Sequence, residues 1–299
     1  MLRILTWPEH VNRRGDKNPQ TRHLDKSRAN LHVCSHCPRT RLKRRQDLGY
    51  FGYFKGVAVT QNEEVKLASQ TDAALDLIRS HIIDMGLEPG SRIDERILVD
   101  RFQLGRTPAR EAINRLVAEG FVKIMPQRGG TYVRKLDMDE MGEVIVAHQL
   151  AESVAGQMCK LDDPTLLPDL RAIQRRYTES VKNREFLAIT QLNQEFHLRI
   201  HKTIGNGLFY DFAESTHRHV RRLNVYIYKA EVADADYQSG QFAANLDQHN
   251  QIIEAIERRD RAELITFLPE HARYTQRRLL RLLENKTVGP LTLDVEDID

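Results

Sequence analysis

The chain has 299 residues, a length that suits two domains, and its 45 Lys/Arg against 42 Asp/Glu leave a net charge of only +3. Thirteen Lys/Arg against four Asp/Glu fall in residues 1–60, which speaks against a protein that coats nucleic acid and for one that confines such contact to a small module. Three cysteines are too few for a disulfide framework, and there is neither an apolar run near the ~18 residues of a membrane span nor a secretory signal, so a cytoplasmic protein without a membrane partner is expected.

In chain order, residues 1–66 are polar and basic with no sustained helical period, which predicts a disordered tail, an over-extended translation start being the other reading. The tail holds His32, Cys34, His36 and Cys37. One Cys-x-x-Cys lacks the second ligand pair of a structural zinc site and reads as incidental. From Ala68 the pattern tightens. Leu75, Ile78, Ile82 and Met85 recur at helical spacing until Gly86 and Pro89-Gly90 end the helix. Arg92 to Asp94 reads as an extended link, with Asp94 capping a second helix through Arg101. A turn over Phe102–Gly105 leads to a third helix starting near Gly105 or Thr107, where Pro108 costs no hydrogen bond. Ala109, Ala112, Ile113, Leu116 and Val117 form its apolar stripe and leave Arg106 and Arg110 on another face. Gly120–Ile124 and Pro126–Val133 then read as two strands around a Gly-rich turn.

Helix, turn, helix and basic-tipped wing, in that order, predict a winged helix-turn-helix over residues 67–135 that binds double-stranded DNA. Guanidinium forks read guanine edges in the major groove, so Arg106 and Arg110 are the base-reading candidates. Arg96, Thr107, Arg128 and Gly129 are the candidates for phosphate and wing contacts.

Beyond a link at Lys135–Asp139, six helical segments are expected: Met138–Leu161, Pro164–Lys182, Glu185–Ile204, Leu208–Ala230, Gln241–Arg259 and Arg261–Leu283. Their length and short links predict an all-helical antiparallel bundle over residues 136–286, with an acidic tail over 287–299 and a mainly α protein overall. Asn193 and His197 share a helix face at i, i+4. His249 and His271 lie in the apolar phase of two later helices. Such residues suit a divalent metal if they converge, and are ordinary core histidines if they do not. His197 and His201 lack the intervening Glu of a zinc-protease helix, and His217 and His219 at i, i+2 point apart. With no phosphate loop, nucleophile motif or dinucleotide fingerprint, an enzyme is not expected.

The DNA-binding motifs, from Leu87-Glu88-Pro89-Gly90 through Gly105–Ala112 to Pro126–Val133, with the histidine pattern behind them, resemble the GntR family of bacterial transcription regulators. The branch resembled is the FadR type with an FCD effector domain, over about Gln70 to Leu283. The resemblance implies a homodimeric regulator on a palindromic operator. It implies Asn193, His197, His249 and His271 as ligands of a divalent ion, zinc or nickel, at the floor of a metabolite pocket. It also implies a small organic acid or sugar acid as effector, releasing a repressor from DNA; a metal sensor without organic effector is the alternative. Departures stand out. Gly105 replaces the usual Ser or Thr. His148 stands where an Arg usually precedes Glu152 by four residues, which makes His148, with Arg222, an effector-pocket candidate. Pro269 interrupts the last helix two residues before His271.

Overall fold

The structure, a computed structural model, describes residues 61–284. The Cys34–Cys37 segment, residues 1–60 of the tail expected over 1–66, and the acidic tail expected over 287–299 lie outside the described residues, while residues 61–66, expected as tail, are the first turns of a helix. α1 (Gln61–Ile83) turns Leu75, Ile78 and Ile82 inward. It ends earlier than expected, at Ile83: Met85, read as part of the helical stripe, adopts the left-handed conformation at φ 62°, and the Leu87 N–H closes the turn on the His81 carbonyl. Arg92–Ile93, expected as a plain link, is strand β1, because its partner residues Tyr132 and Thr131 lie beside it in the wing. Asp94 caps α2 (Glu95–Phe102) by accepting the Ile97 N–H.

Gln103, at φ 56°, makes the turn into α3 (Arg106–Ala118). Ala109, Ala112, Ile113 and Leu116 of α3 pack with Leu98, Phe121, Val122, Val133 and the apolar face of α1 into one small core. Val117 is only partly buried at its margin. The wing is β2 (Val122–Met125), a 3-10 turn at Pro126–Arg128, and β3 (Gly130–Val133). The three strands are antiparallel in the order β1-β3-β2.

Asp137, accepting the Glu140 N–H, opens α4 (Met138–Met158). α5 (Leu166–Lys182), α6 (Phe186–Lys202), α7 (Gly207–Glu231), α8 (Ala235–Glu257) and α9 (Arg261–Glu284) follow. α8 begins six residues before the expected Gln241. Asp234 caps it through the Tyr237 N–H, and the Gln238 amide donates to the Tyr228 carbonyl, so Ser239-Gly240 is carried inside a helix already anchored at its start. α4 packs on α9 and α7, α5 on α6 and α8, and α6 on α7. α4 and α9 pack tightly at Gly156, where a Cβ would lie 2.7 Å from the Leu264 carbonyl oxygen. α9 runs through Pro269 without a break. The architecture is mainly α, a winged helix-turn-helix followed by a helical bundle.

Candidate functional site

The first turn of α3 presents Arg106, Thr107 and Arg110 to solvent while Pro108 and Ala109 are buried, so the stripe that fastens the helix also aims these side chains outward. Arg110 reaches back to Glu95 of α2 (3.2 Å), and Arg96 to Asp100 one turn on (3.7 Å). Both pairs are exposed, so a stronger anion can displace them. The N-cap Gly105 makes no side-chain hydrogen bond. In the wing, Gly129 is exposed at φ 62° with open space where a Cβ would point, and the Tyr132 hydroxyl donates to the Arg128 carbonyl. All six candidate DNA-contacting residues are solvent-facing.

Inside the bundle, His197 of α6, His249 of α8 and His271 of α9 place ring nitrogens within 4.8 Å of one another, all buried. Each Nδ1 is taken by an acceptor: His197 by Glu152 Oε2 (3.0 Å), His249 by Gln174 Oε1 (3.0 Å), His271 by Gln248 Oε1 (2.8 Å). Gln174 has no freedom to flip, because its amide nitrogen already donates to Leu246 O and Asn250 Oδ1. His197 and His249 therefore hold the Nδ1–H tautomer and keep their Nε2 lone pairs free, and His271 does the same with the Gln248 oxygen turned toward it. Asn193 Oδ1, His197 Nε2 and His249 Nε2 are buried without a hydrogen-bond partner. Oxygen and nitrogen lone pairs left bare in a core are costly unless something accepts them. These donors fit a divalent first-row ion, each histidine held by an outer acceptor as such ligands usually are. Burial, reinforced by the neighbouring imidazoles, holds His271 down to about 3 and His249 well below the usual histidine range, so both are neutral. Glu152 is wholly buried; burial alone would raise it, but His197 and His201 hold it well below the usual carboxylate range.

Residues 70–133 match the family model described as "Bacterial regulatory proteins, gntR family", and residues 146–274 match the FCD domain. The protein is a GntR-family regulator with an FCD domain. Curated relatives of this regulator include the HTH-type transcriptional repressor RspR of Escherichia coli K12, 25% identical over 62% of this chain and 77% of the relative. The gluconate operon transcriptional repressor of Bacillus subtilis is 24% identical over 65% of this chain and 78% of that protein. Among solved structures, E. coli McbR/YncC superposes with a TM-score of 0.58 at 17% identity, over 73% of this chain and 98% of that one, and shares the fold. The family assignment makes this a DNA-binding regulator of transcription and not an enzyme.

Two expected pocket residues of this GntR-family regulator are placed otherwise. Arg222 is fully buried but donates to the Arg134 carbonyl and lies 3.3 Å from Glu140 Oε1, tying α7 to the link between the domains, because its helix phase points it toward the start of α4. Burial pushes Glu140 up to about 7 against the pull of Arg222 and Arg134. His148 is buried against His217, 5.2 Å between ring centroids. A groove of about 610 Å³ does exist, but it lies over α5 and α6 among Arg176, Glu195, Arg199 and Tyr210, away from the histidines.

Sequence reasoning missed two participants. His201 and His217 both contact Glu152, at 2.9 and 3.0 Å. The i, i+4 repeat from His197 to His201 was the available signal; only the packing of α7 on α6 completes it. His217 and His219 do point apart, as expected. His219 stacks on Phe121 (4.2 Å) and meets the Glu119 carbonyl at 2.9 Å. With Arg221 on Asp84 (3.1 Å), Lys229 on the Asp84 carbonyl (3.0 Å) and Arg222 on the link, α7 grips the DNA-binding domain along one face and carries His217 on another.

Proposed function

We propose that this regulator is a homodimeric repressor that leaves a palindromic operator when a small organic acid or sugar acid binds at a metal held by Asn193, His197, His249 and His271. The observation that carries the reading is the convergence of three buried imidazoles, each with an outer acceptor at Nδ1, beside an unpartnered amide oxygen. A neutral donor set leaves the charge of a divalent ion uncompensated, and a carboxylate is the complementary ligand. The ion's role is to hold and polarise such a ligand. The protein's own contribution is to fix the rings and exclude water.

On the DNA side, Arg106 and Arg110 read bases, while Arg96, Thr107, Arg128 and the Gly129 tip contact phosphates. Two heads reading half-sites about one helical turn apart require a dimer. The exposed apolar ridge of α4, Val146, Leu150 and Met158, supports self-association. The names of RspR and the gluconate operon repressor support repression as the sign of control. Effector binding shifts α4 and α7, which line the histidine site and hold the head, and the ligand must favour the released arrangement by differential affinity.

The test is selection of DNA from a random pool on the full-length protein, followed by release with a panel of organic and sugar acids at fixed zinc or nickel. A short inverted repeat, released by one acid in the metal-loaded protein only, is the expected result. Bound DNA without common sequence overturns the operator reading. Release by metal alone, with no acid effective, replaces the metabolite with the metal as signal.

A further inference from the structure

Next to the first histidine group, and sharing no ligand with it, lies a second. His148 and Glu152 sit one turn apart on α4, His201 comes from α6 and His217 from α7, and all four are buried. Glu152 Oε1 lies 2.9 Å from His201 Nε2 and 3.0 Å from His217 Nε2, and those two nitrogens are 3.1 Å apart. Donor atoms that share one ion through bonds of ~2.0–2.2 Å stand at about this separation at tetrahedral or octahedral angles. His148, Glu152 and His217 also offer ligand atoms within 4.8 Å of one another, and His148 Nε2 has no partner.

Hydrogen bonds alone explain the group badly. Two N–H donors would crowd onto one oxygen at 3.1 Å from each other, while His148 Nε2 stays unpartnered in the core. We infer that His148, Glu152, His201 and His217 form a second site for a divalent first-row ion such as zinc. Its donor set carries one carboxylate charge, unlike the neutral set next door. His148 supplies a ligand with its unpartnered Nε2 one turn before Glu152 on α4. Glu152 belongs to both places: Oε1 faces the second site, and Oε2 accepts the Nδ1–H of His197, whose other nitrogen faces the first. Filling the second site draws charge from the carboxylate that orients His197, so the two ions sense each other through one side chain.

The experiment is metal counting by mass spectrometry on full-length protein, stripped with chelator, reloaded with zinc alone and dialysed, with circular dichroism melts to establish folding. Wild type should retain two ions per chain, His217→Gln one and His249→Gln one. His148→Gln, which keeps most of the volume, should weaken the second ion tenfold or more and serves if His217→Gln fails to fold. One ion in wild type, kept in His217→Gln and His148→Gln but lost in His249→Gln, overturns the second site and leaves the first standing. One ion lost in His217→Gln and kept in His249→Gln supports the second site and overturns the first.

Discussion

Arg110 lies half-exposed against Glu95, in a pair too solvated to matter much for folding. Arg110→Ala should therefore leave the melting temperature nearly unchanged and weaken specific DNA binding by about 1–3 kcal/mol, with less preference at one base position. Equal affinity for every variant of the selected sequence in both proteins would remove Arg110 from the reading set. Gln174 makes a different kind of prediction, because it is not a candidate ligand: its Oε1 accepts the Nδ1–H of His249 while its amide nitrogen donates to Leu246 O and Asn250 Oδ1. Gln174→Leu should lower metal affinity roughly 10- to 100-fold in competition with a chromophoric chelator; unchanged affinity would mean the tautomer of His249 is held by something else. Residues whose role follows from helix phase, such as Ala109 and Leu116, were legible in the sequence. Gln174 and Gln248 were not. Their value lies in which way an amide points, and that is decided by partners dozens of residues away.

At the scale of elements, the arrangement of the histidines depends on how closely α4 and α9 approach. Gly156 lets the backbones meet, and the facing turn of α9 is the one where Pro269 offers no N–H to the Ile265 carbonyl. Arg261 fastens the same place by donating to Gly156 O and Cys159 O at the end of α4. Gly156→Ala puts a methyl 2.7 Å from Leu264 O and 3.1 Å from Ile265 Cα, backbone atoms that cannot swing aside. The expected cost is about 1–3 kcal/mol of stability, read by urea denaturation, together with weaker metal retention as His271 moves from α4. A variant as stable as wild type would show that the helices slide freely. Helix existence and order were readable from periodicity and caps. The start of α8 was not, since Gln238 finds its anchor on α7, and neither was β1, a two-residue strand that exists only because β3 lies beside it.

Taken whole, the molecule buries several neutral imidazoles in one bundle, which gives its stability a pH dependence of definite sign. His217 and His271 are lowered by burial to about 4 and about 3, whereas in the unfolded chain both return to ~6.5. Below pH 6.5 the unfolded chain takes up protons that the folded one refuses. Stability of the metal-free protein should therefore fall as pH drops from 6.5 toward 4, by about 1.4 kcal/mol per pH unit for each group. Denaturation midpoints that stay level between pH 7.5 and 5 would contradict neutral burial. Motif order marked out the winged helix, and helical phase turned His197, His249 and His271 toward the core, but that they would meet was only implied by the family resemblance. That Arg222 would serve the junction, and that Glu152 would gather His201 and His217, depended on how six helices pack. The grip of α7 on the head has a practical consequence for anyone who would build hybrids. A cut at residue 135, natural by sequence, severs His219 from Phe121, Arg221 from Asp84 and Arg222 from Arg134. A foreign head grafted there should still fold and bind its own operator, yet respond weakly to this bundle's ligand. Transplanting the α7 surface along with the head should restore the response, and failure to do so would locate the transmission elsewhere.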